Sequence, residues 1–348
     1  MNSQINEILV QAIEYKASDV HLTVGQPPVF RINGVMVPQN NYPCLSPNDT
    51  NALLCQLTEE SNRLKEKGEL DFARSIPGVG RLRVNAFFQR GAVGIVLRLI
   101  SSHVPTLEQL NLPPIVADFT AKKKGLVLVT GPTGSGKSTT LAAMIDKINS
   151  EQTVHILTLE DPIEYIHQHK KSIINQREIG TDSKSFAAAL KAALRQDPDV
   201  ILVGEMRDLE TISIAITAAE TGHLVFATLH TNNASQTIDR IIDVFPPYQQ
   251  QQIRIQLAET LQGIIAQQLL PKADGSGRVA AVEILVPTTA VRNLIREGKT
   301  YQIQSMIQTG ARFGMQSMEM ALKKLVQTGL ISREEYTSHL EGEALDLN

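Results

Sequence analysis

The sequence predicts an α/β protein: a domain with a parallel sheet, preceded by a smaller α+β module. Three observations lead there. Residues Gly131, Pro132, Thr133, Gly134, Ser135, Gly136, Lys137 and Ser138 satisfy the phosphate-binding pattern G-x-x-x-x-G-K-[ST] at every fixed position. The short apolar run Gly125 to Thr130 precedes this loop and a helical pattern from Thr139 to Ile148 follows it, which makes a strand, loop, helix unit. Three more apolar runs, beginning at Val154, Val200 and His223, are separated by helical or turn-rich stretches, as in a sheet of parallel strands.

Composition restricts the possibilities. At 348 residues, the chain is long enough for two domains, and its 42% apolar and 20% charged residues are those of a globular protein. No apolar run approaches the ~20 residues that cross a bilayer. The polar start Met1-Asn2-Ser3-Gln4 has neither a basic nor an apolar leader region, so a cytoplasmic location is expected. Cys44 and Cys55 are too few for a disulfide framework and are read as reduced thiols. A net charge of −3 argues against a nucleic-acid partner, which would call for a basic footprint.

In chain order, Ile5, Ile8, Leu9, Ala12 and Ile13 recur at helical spacing and predict an amphipathic helix ending near Lys16. Val20 to Val24 alternates as a strand, and Asn33-Gly34 between Val29–Ile32 and Val35–Val37 signals a hairpin. Ser46-Pro47-Asn48-Asp49 reads as a helix start, and a further helix is predicted from Thr58 to Lys67, stopped by Gly68. Two strands then run over 81–86 and 93–99. They present Arg81, Arg83, Asn85 and Arg98 on the face opposite their apolar residues, either as a solvated face or as guanidiniums offered to phosphate. His21 is expected to be structural. Ser101 to Pro105 looks like an exposed linker, so the module is taken as 1–104, the linker as 105–114 and the second domain as 115–348.

The second domain carries the chemistry. The loop's backbone N–H groups and the positive end of its helix suit phosphate, with Lys137 reaching the β- and γ-phosphates and Ser138 ligating magnesium. The strand Val154 to Leu159 ends in Glu160-Asp161-Pro162. In open α/β sheets ligands bind at the strands' carboxyl ends, so both acids are placed near the nucleotide by topology; a solvated acidic turn is the plain alternative. Val200 to Val203 delivers Glu205, after Gly204, in a Walker B arrangement. There a carboxylate orients the attacking water or holds magnesium through water, and the length of glutamate favours the water. His230 and Thr231 end the strand from His223 and suit γ-phosphate sensing. The division of labour between Glu160 and Glu205 is left open.

Beyond this, Pro247 to Leu270 reads as one long amphipathic helix with Ile253, Leu257, Leu261 and Ile264 inward, and Arg278 to Val286 reads as a strand. Thr288 is expected to cap a short helix ended by Gly298, whose Arg292 and Arg296 belong either to a plain surface helix or to a docking or coupling element. Two more helices are expected, the last started by Ser332-Arg333-Glu334-Glu335, and then an acidic tail from Glu341 that frays.

These motifs resemble one family closely, the secretion and type IV pilus ATPases, and within it the branch that retracts pili. GPTGSGKS (131–138), LTLEDPIEY (157–165), DPDVILVGEMRD (197–208) and TGHLVFATLHT (221–231) carry the likeness, which extends from ASDVHL (17–22) and RVNAF (83–87) to the helical tail. AVRNLIREGK (290–299) looks like the retraction signature, with Val291 where isoleucine is usual, and Ala227 replaces a frequent glycine. The family's extension and type II secretion ATPases, the nearest alternative, carry an extra N-terminal domain and a four-cysteine zinc element that this sequence lacks.

The resemblance implies a PAS-like N-terminal domain, a RecA-like ATPase domain and a homo-hexamer that hydrolyses ATP with magnesium. It implies that nucleotide binds residues 131 to 139, including Thr139, with Glu160 and Asp161 near the metal, directly or through water. Lys137, Glu160, Glu205 and His230 would serve catalysis. Arginines matching Arg81, Arg83 and Arg98 would contact phosphates as the domains close. It further implies a motor for pilus disassembly, and hence twitching motility, peripheral to the inner membrane and docked on a platform protein at its cytoplasmic face. A RecA-type nucleic-acid translocase is the more distant alternative, but only the clusters Lys122-Lys123-Lys124 and Lys170-Lys171 would serve it.

Overall fold

The computed structural model describes residues 4–32, 34–59, 61–100 and 104–338. It separates into two compact units, Met1–His103 with Glu164–Ile166, and Val104–Ile163 with His167–Asn348.

In the first unit, α1 (Gln4–Glu14), β1 (Asp19–Leu22), β2 (Val29–Ile32), β3 (Val35–Pro38), α2 (Pro47–Leu57), α3 (Ser61–Lys67), β4 (Glu69–Ile76), β5 (Gly80–Gln89) and β6 (Ala92–Ile100) follow in order. The strands form one sheet in the order β3-β2-β1-β6-β5-β4, with every neighbouring pair antiparallel. Ile5, Ile8, Leu9 and Ala12 of α1 pack with Leu53, Leu54 and Leu57 of α2 and with Leu82, Val84, Ile95 and Leu97 of the sheet. Period-two alternation turns Arg83 and Arg98 the other way, and the two are register partners. Ser46 accepts from the Asp49 N–H while the Asp49 carboxylate accepts from the Ser46 N–H, a capping box that fixes the start of α2. Ile32 pairs with Val35 as the hairpin signal requires, although Asn33 lies outside the described residues, as do linker residues 101–103 and the acidic tail from Glu341.

The second unit comprises α4 (Ile115–Thr120), β7 (Gly125–Thr130), α5 (Lys137–Glu151), β8 (His155–Glu160), β9 (Ile173–Glu178), α6 (Phe186–Ala193), β10 (Val200–Val203), α7 (Leu209–Glu220), β11 (Leu224–Leu229), α8 (Ala234–Asp243), α9 (Pro247–Thr260), β12 (Leu261–Pro271), β13 (Arg278–Leu285), α10 (Thr289–Glu297), α11 (Ile303–Thr309) and α12 (Met318–Gln327). Its sheet runs β13-β12-β7-β11-β10-β8-β9, parallel from β12 to β9 with β13 antiparallel at the edge. The inner strands β7 and β11 are buried at every position because separate apolar clusters cover both faces.

Four expectations change. The long helix from Pro247 stops at Thr260, and residues 261–271 form β12, parallel to β7. Leu257, Leu261 and Ile264 match helical spacing, but β12 is buried on both faces, and a continuous apolar run does not distinguish a strand from a helix. At Gly263 a Cβ would lie 2.4 Å from the Phe119 ring, so the strand passes where only glycine fits. The helix expected from Thr58 starts at Ser61, because Thr58 ends α2 by donating its N–H to Leu54 O. Strands β4 and β9 were not expected from the sequence: β4 is interrupted by charged residues on its exposed side, and β9 has only two apolar residues before the polar run Asn175, Gln176, Arg177 and Glu178. The last helix starts at Ser332 as expected, its hydroxyl accepting the Glu335 N–H and residues 333–338 being helical, but two helices, α11 and α12, precede it where one was expected.

Candidate functional site

Four consecutive neighbours in the sheet, β7, β11, β10 and β8, end at the same edge, and each delivers one predicted element there. β7 leads into the phosphate loop, β11 into His230, β10 into Glu205, and β8 ends on Glu160. The parallel register, with Leu229 opposite Thr130 and Val203 opposite both Ala227 and Leu159, aligns the four strand ends. Arrangement at one edge follows from parallel pairing, because every strand then points its carboxyl end the same way.

In the loop, Pro132, Thr133 and Gly134 are exposed, Ser135 is buried, and Gly136 caps α5 in a left-handed conformation with φ of 87°. Lys137 Nζ donates to Gly131 O at 2.8 Å and to Pro132 O at 2.9 Å, so its ammonium lies within the curl of the loop. Ser138 and Thr139 open α5, with the Ser138 side chain accessible. The positive end of this 15-residue helix therefore meets a hydroxyl, an ammonium and a curled backbone, a set suited to a polyphosphate anion.

Glu160 is half-buried. Its Oε1 accepts from Thr158 Oγ1 at 2.6 Å and from Gln176 Nε2 at 3.2 Å, and Gln176 in turn accepts the His167 N–H. Asp161 beside it is exposed. A serine hydroxyl and two carboxylates are hard oxygen donors, the set magnesium takes when phosphate and water complete its shell.

Glu205 is held differently. Its Oε1 lies 3.0 Å from His230 Nε2 and 2.5 Å from Arg207 Nε. Burial pushes this carboxyl up, but the Arg207 hydrogen bond and the Arg207 and His230 charges outweigh it and hold the group below the usual glutamate range. Thr228 Oγ1 donates to Gly204 O and the Met206 N–H to Thr228 O, so β11 also fixes the backbone on both sides of Glu205. Asp208 caps α7 through the Thr211 N–H at 2.9 Å and so ends the turn that carries Arg207.

The expected arginines belong to the first unit. Arg98 Nε donates to Asp19 Oδ1 at 2.9 Å, and Arg31 approaches Asp19 Oδ2 at 3.8 Å. Asp19 is buried between them, while the Arg98 side chain keeps 68% of its surface exposed and Arg83 is also exposed. His223 stands at the opposite sheet edge from His230, its Nδ1 3.0 Å from Ala218 O. Among the described residues no group of three or more His, Cys, Asp or Glu is placed to hold a metal ion. Neither Cys44 nor Cys55 is in a disulfide, and both are exposed.

Sequence reading missed several supporting residues. Gln267 in β12 contacts the phosphate loop, and Glu283 in β13 accepts the Ala234 N–H at the start of α8 at 2.9 Å. Each is a buried polar side chain within a largely apolar stretch, which is the signal that could have found it. Arg292 is the other surprise. Its Nη1 donates to Ala258 O and, at 3.0 Å, to Glu259 O, and its Nη2 donates to Leu261 O at 2.9 Å. The guanidinium thus closes the C-terminal end of α9 and the first residue of β12, an attachment that the sequence reading of the helix did not include.

The comparisons agree with this layout. The family described as type II/IV secretion system protein matches residues 1–338. The Pseudomonas aeruginosa protein named type IV pilus retractation ATPase PilT is 52% identical over 332 residues, covering 95% of this chain and 96% of its own. A Neisseria gonorrhoeae twitching motility protein is 52% identical over 309 residues, covering 88% and 82%. The crystal structure of the pilus retraction motor PilT with bound ADP superposes with a TM-score of 0.89 at 53% identity, covering 97% of both chains. The Legionella pneumophila ATPase DotB gives 0.81 at 32% identity, covering 97% of this chain and 95% of its own. Matched along nearly its whole length, and folded as an α/β protein with the phosphate loop, acidic box and histidine box at one sheet edge, the chain belongs to the type II/IV secretion system protein family.

Proposed function

We propose that this protein is an ATP-hydrolysing motor that powers type IV pilus retraction, and with it twitching motility. The observation that carries this reading is the alignment of Lys137, Glu160, Glu205 and His230 at one sheet edge in a chain that shares half its residues with a pilus retraction ATPase.

The loop 131–139 binds the nucleotide's phosphates through backbone N–H groups, Lys137 and the α5 terminus. Ser138, with Glu160 and Asp161 directly or through water, is suited to hold magnesium, which when bound neutralises phosphate charge. Glu160, oriented by Thr158 and Gln176, and Glu205, oriented by His230 and Arg207, are the two carboxylates able to align water for attack on the γ-phosphate. His230, read as the γ-phosphate sensor, pairs with Glu205, and this contact offers a route from that phosphate to a catalytic carboxylate. We assign Arg81, Arg83 and Arg98 to the nucleotide's phosphates, the first unit being read as the PAS-like module. The working form is a homo-hexamer, docked on a platform protein at the cytoplasmic face of the inner membrane. No helix among the described residues is long and apolar enough to cross a membrane, which fits a peripheral partner.

The test pairs enzymology with motility. The purified protein hydrolyses ATP with magnesium, and Lys137→Ala abolishes both nucleotide binding and turnover. A strain deleted for the gene becomes hyperpiliated and stops twitching, and the wild-type gene, but not Lys137→Ala, restores retraction. Turnover intact in Lys137→Ala would show the loop reading to be wrong, and ATPase activity stimulated by DNA would favour a translocase.

A further inference from the structure

Gln267 belongs to none of the recognised motifs. It lies 127 residues after Thr140 in β12 and is 2% exposed. Its side-chain amide joins two parts of the phosphate-loop unit. Oε1 accepts from Thr140 Oγ1 at 2.7 Å, and Nε2 donates to Ser135 O at 2.7 Å. The orientation of the amide is fixed by chemistry, because a backbone carbonyl only accepts, so the nitrogen must face Ser135. Thr140 and Ser135 are themselves 1% and 3% exposed, so both hydrogen bonds are shielded from water.

The rest of the residue meets the loop as well. A Cβ on Gly131 would lie 2.2 Å from Gln267 O, and a Cβ on Gly136 would lie 2.8 Å from Gln267 Nε2. Both glycines have positive φ, 139° and 87°, where a side chain would be strained. Gln267 therefore touches the loop at its start, its middle and its junction with α5. A loop that binds anions through N–H groups gains affinity when those groups are aimed before the ligand arrives, since less ordering remains to be done on binding. Unfixed, a run of three glycines in six residues would sample many conformations.

We propose that Gln267 is the positioning residue of the phosphate loop: by tying Ser135 to Thr140 across β12, it sets the shape of the loop and hence its affinity for the phosphates of a nucleoside di- or triphosphate. The inference rests on the reading of residues 131–139 as the phosphate site. Gln267 acts through Ser135 and Thr140, so its removal weakens binding in the ground state and the transition state alike, and KM moves while kcat does not.

The experiment uses the full-length protein with four variants, reading KM and kcat for magnesium-ATP, affinity for a fluorescent ADP, and thermal midpoint. Gln267→Met keeps length and volume without the amide. It is expected to raise KM and the ADP dissociation constant about tenfold, the order of one buried hydrogen-bonding group left unpaired, with kcat within about twofold of wild type. Thr140→Val, close in shape but lacking the hydroxyl, weakens affinity about threefold or more, and Thr140→Ser restores it. A side chain that merely filled the core would lower the thermal midpoint and leave the affinity of the folded protein unchanged. ADP affinity within about twofold of wild type in folded Gln267→Met and Thr140→Val overturns the proposal. Should Gln267→Met fail to fold, the two Thr140 variants decide: loss in valine with rescue in serine supports the role, and equal affinity in both overturns it. Lys137→Ala tests the underlying reading separately, because retained ADP affinity there refutes the phosphate site whatever Gln267 does.

Discussion

Replacing Arg292 by alanine tests how the signature helix is attached. The side chain is half-buried and donates to three carbonyls, Ala258 O, Glu259 O and Leu261 O. Two of these are among the last four carbonyls of α9, which no helical N–H reaches, and they stand at the negative end of the helix dipole. A hydrogen bond from a charged donor contributes about 1.5–3 kcal/mol, and three sharing one guanidinium are not additive. The exposed side of this helix end lets water replace part of what is lost, so the expected cost is about 2–3 kcal/mol. In a unit of this size each kcal/mol moves the midpoint by about 2–4 °C, which predicts a fall of about 4–12 °C in differential scanning fluorimetry. Arg292→Lys keeps the cation but not the planar fork, and recovers less than half of the loss. Motility assays complete the test. ATP turnover per folded molecule persists below the new midpoint, while twitching is lost if α10 transmits motion from the α9 and β12 junction. A thermal midpoint within about 1 °C of wild type would refute the capping argument.

Two further predictions concern the carboxylates. Glu160→Gln and Glu205→Gln should each lower ATP turnover by at least about 100-fold, since positioned proton acceptors contribute about 10²–10⁴; full hydrolysis in both variants, measured by phosphate release, would remove both from the reaction. Glu205 should titrate below the ordinary 4.5 in a carbon-13 carboxyl experiment, because Arg207 and His230 outweigh burial. Its pairing then contributes stability above the unfolded value and loses it as pH falls through the lower folded one. In Arg207→Ala with His230→Ala, burial is left unopposed and the midpoint should move above 4.5; no upward movement would show that those two partners do not set it.

Among the determinants of function, those written in contiguous residues were legible from the sequence alone. The phosphate loop is local: its glycines, Lys137 and Ser138 lie within eight positions, and an apolar strand and a helix flank it. The same holds for Glu160 and Glu205, each the polar stop after a buried strand, and for the helix starts at Ser46 and Thr288. Local patterning sufficed because strand ends, caps and turns depend on neighbours a few residues away.

Only the tertiary structure decided which of these residues share partners. His230 meets Glu205 because β11 lies beside β10 in the sheet, and strand order is not encoded in periodicity. Gln267 reaches the phosphate loop because residues 261–271 form a strand against β7, and the sequence read them as helix. Arg292 caps α9 across more than thirty residues, and no spacing rule connects the two. The sequence by itself determined the chemical groups and the strand ends that carry them, because those follow from short-range backbone and burial patterns. The packing of β12 and α10 decided how firmly the groups are held, because that depends on contacts between segments distant in the chain.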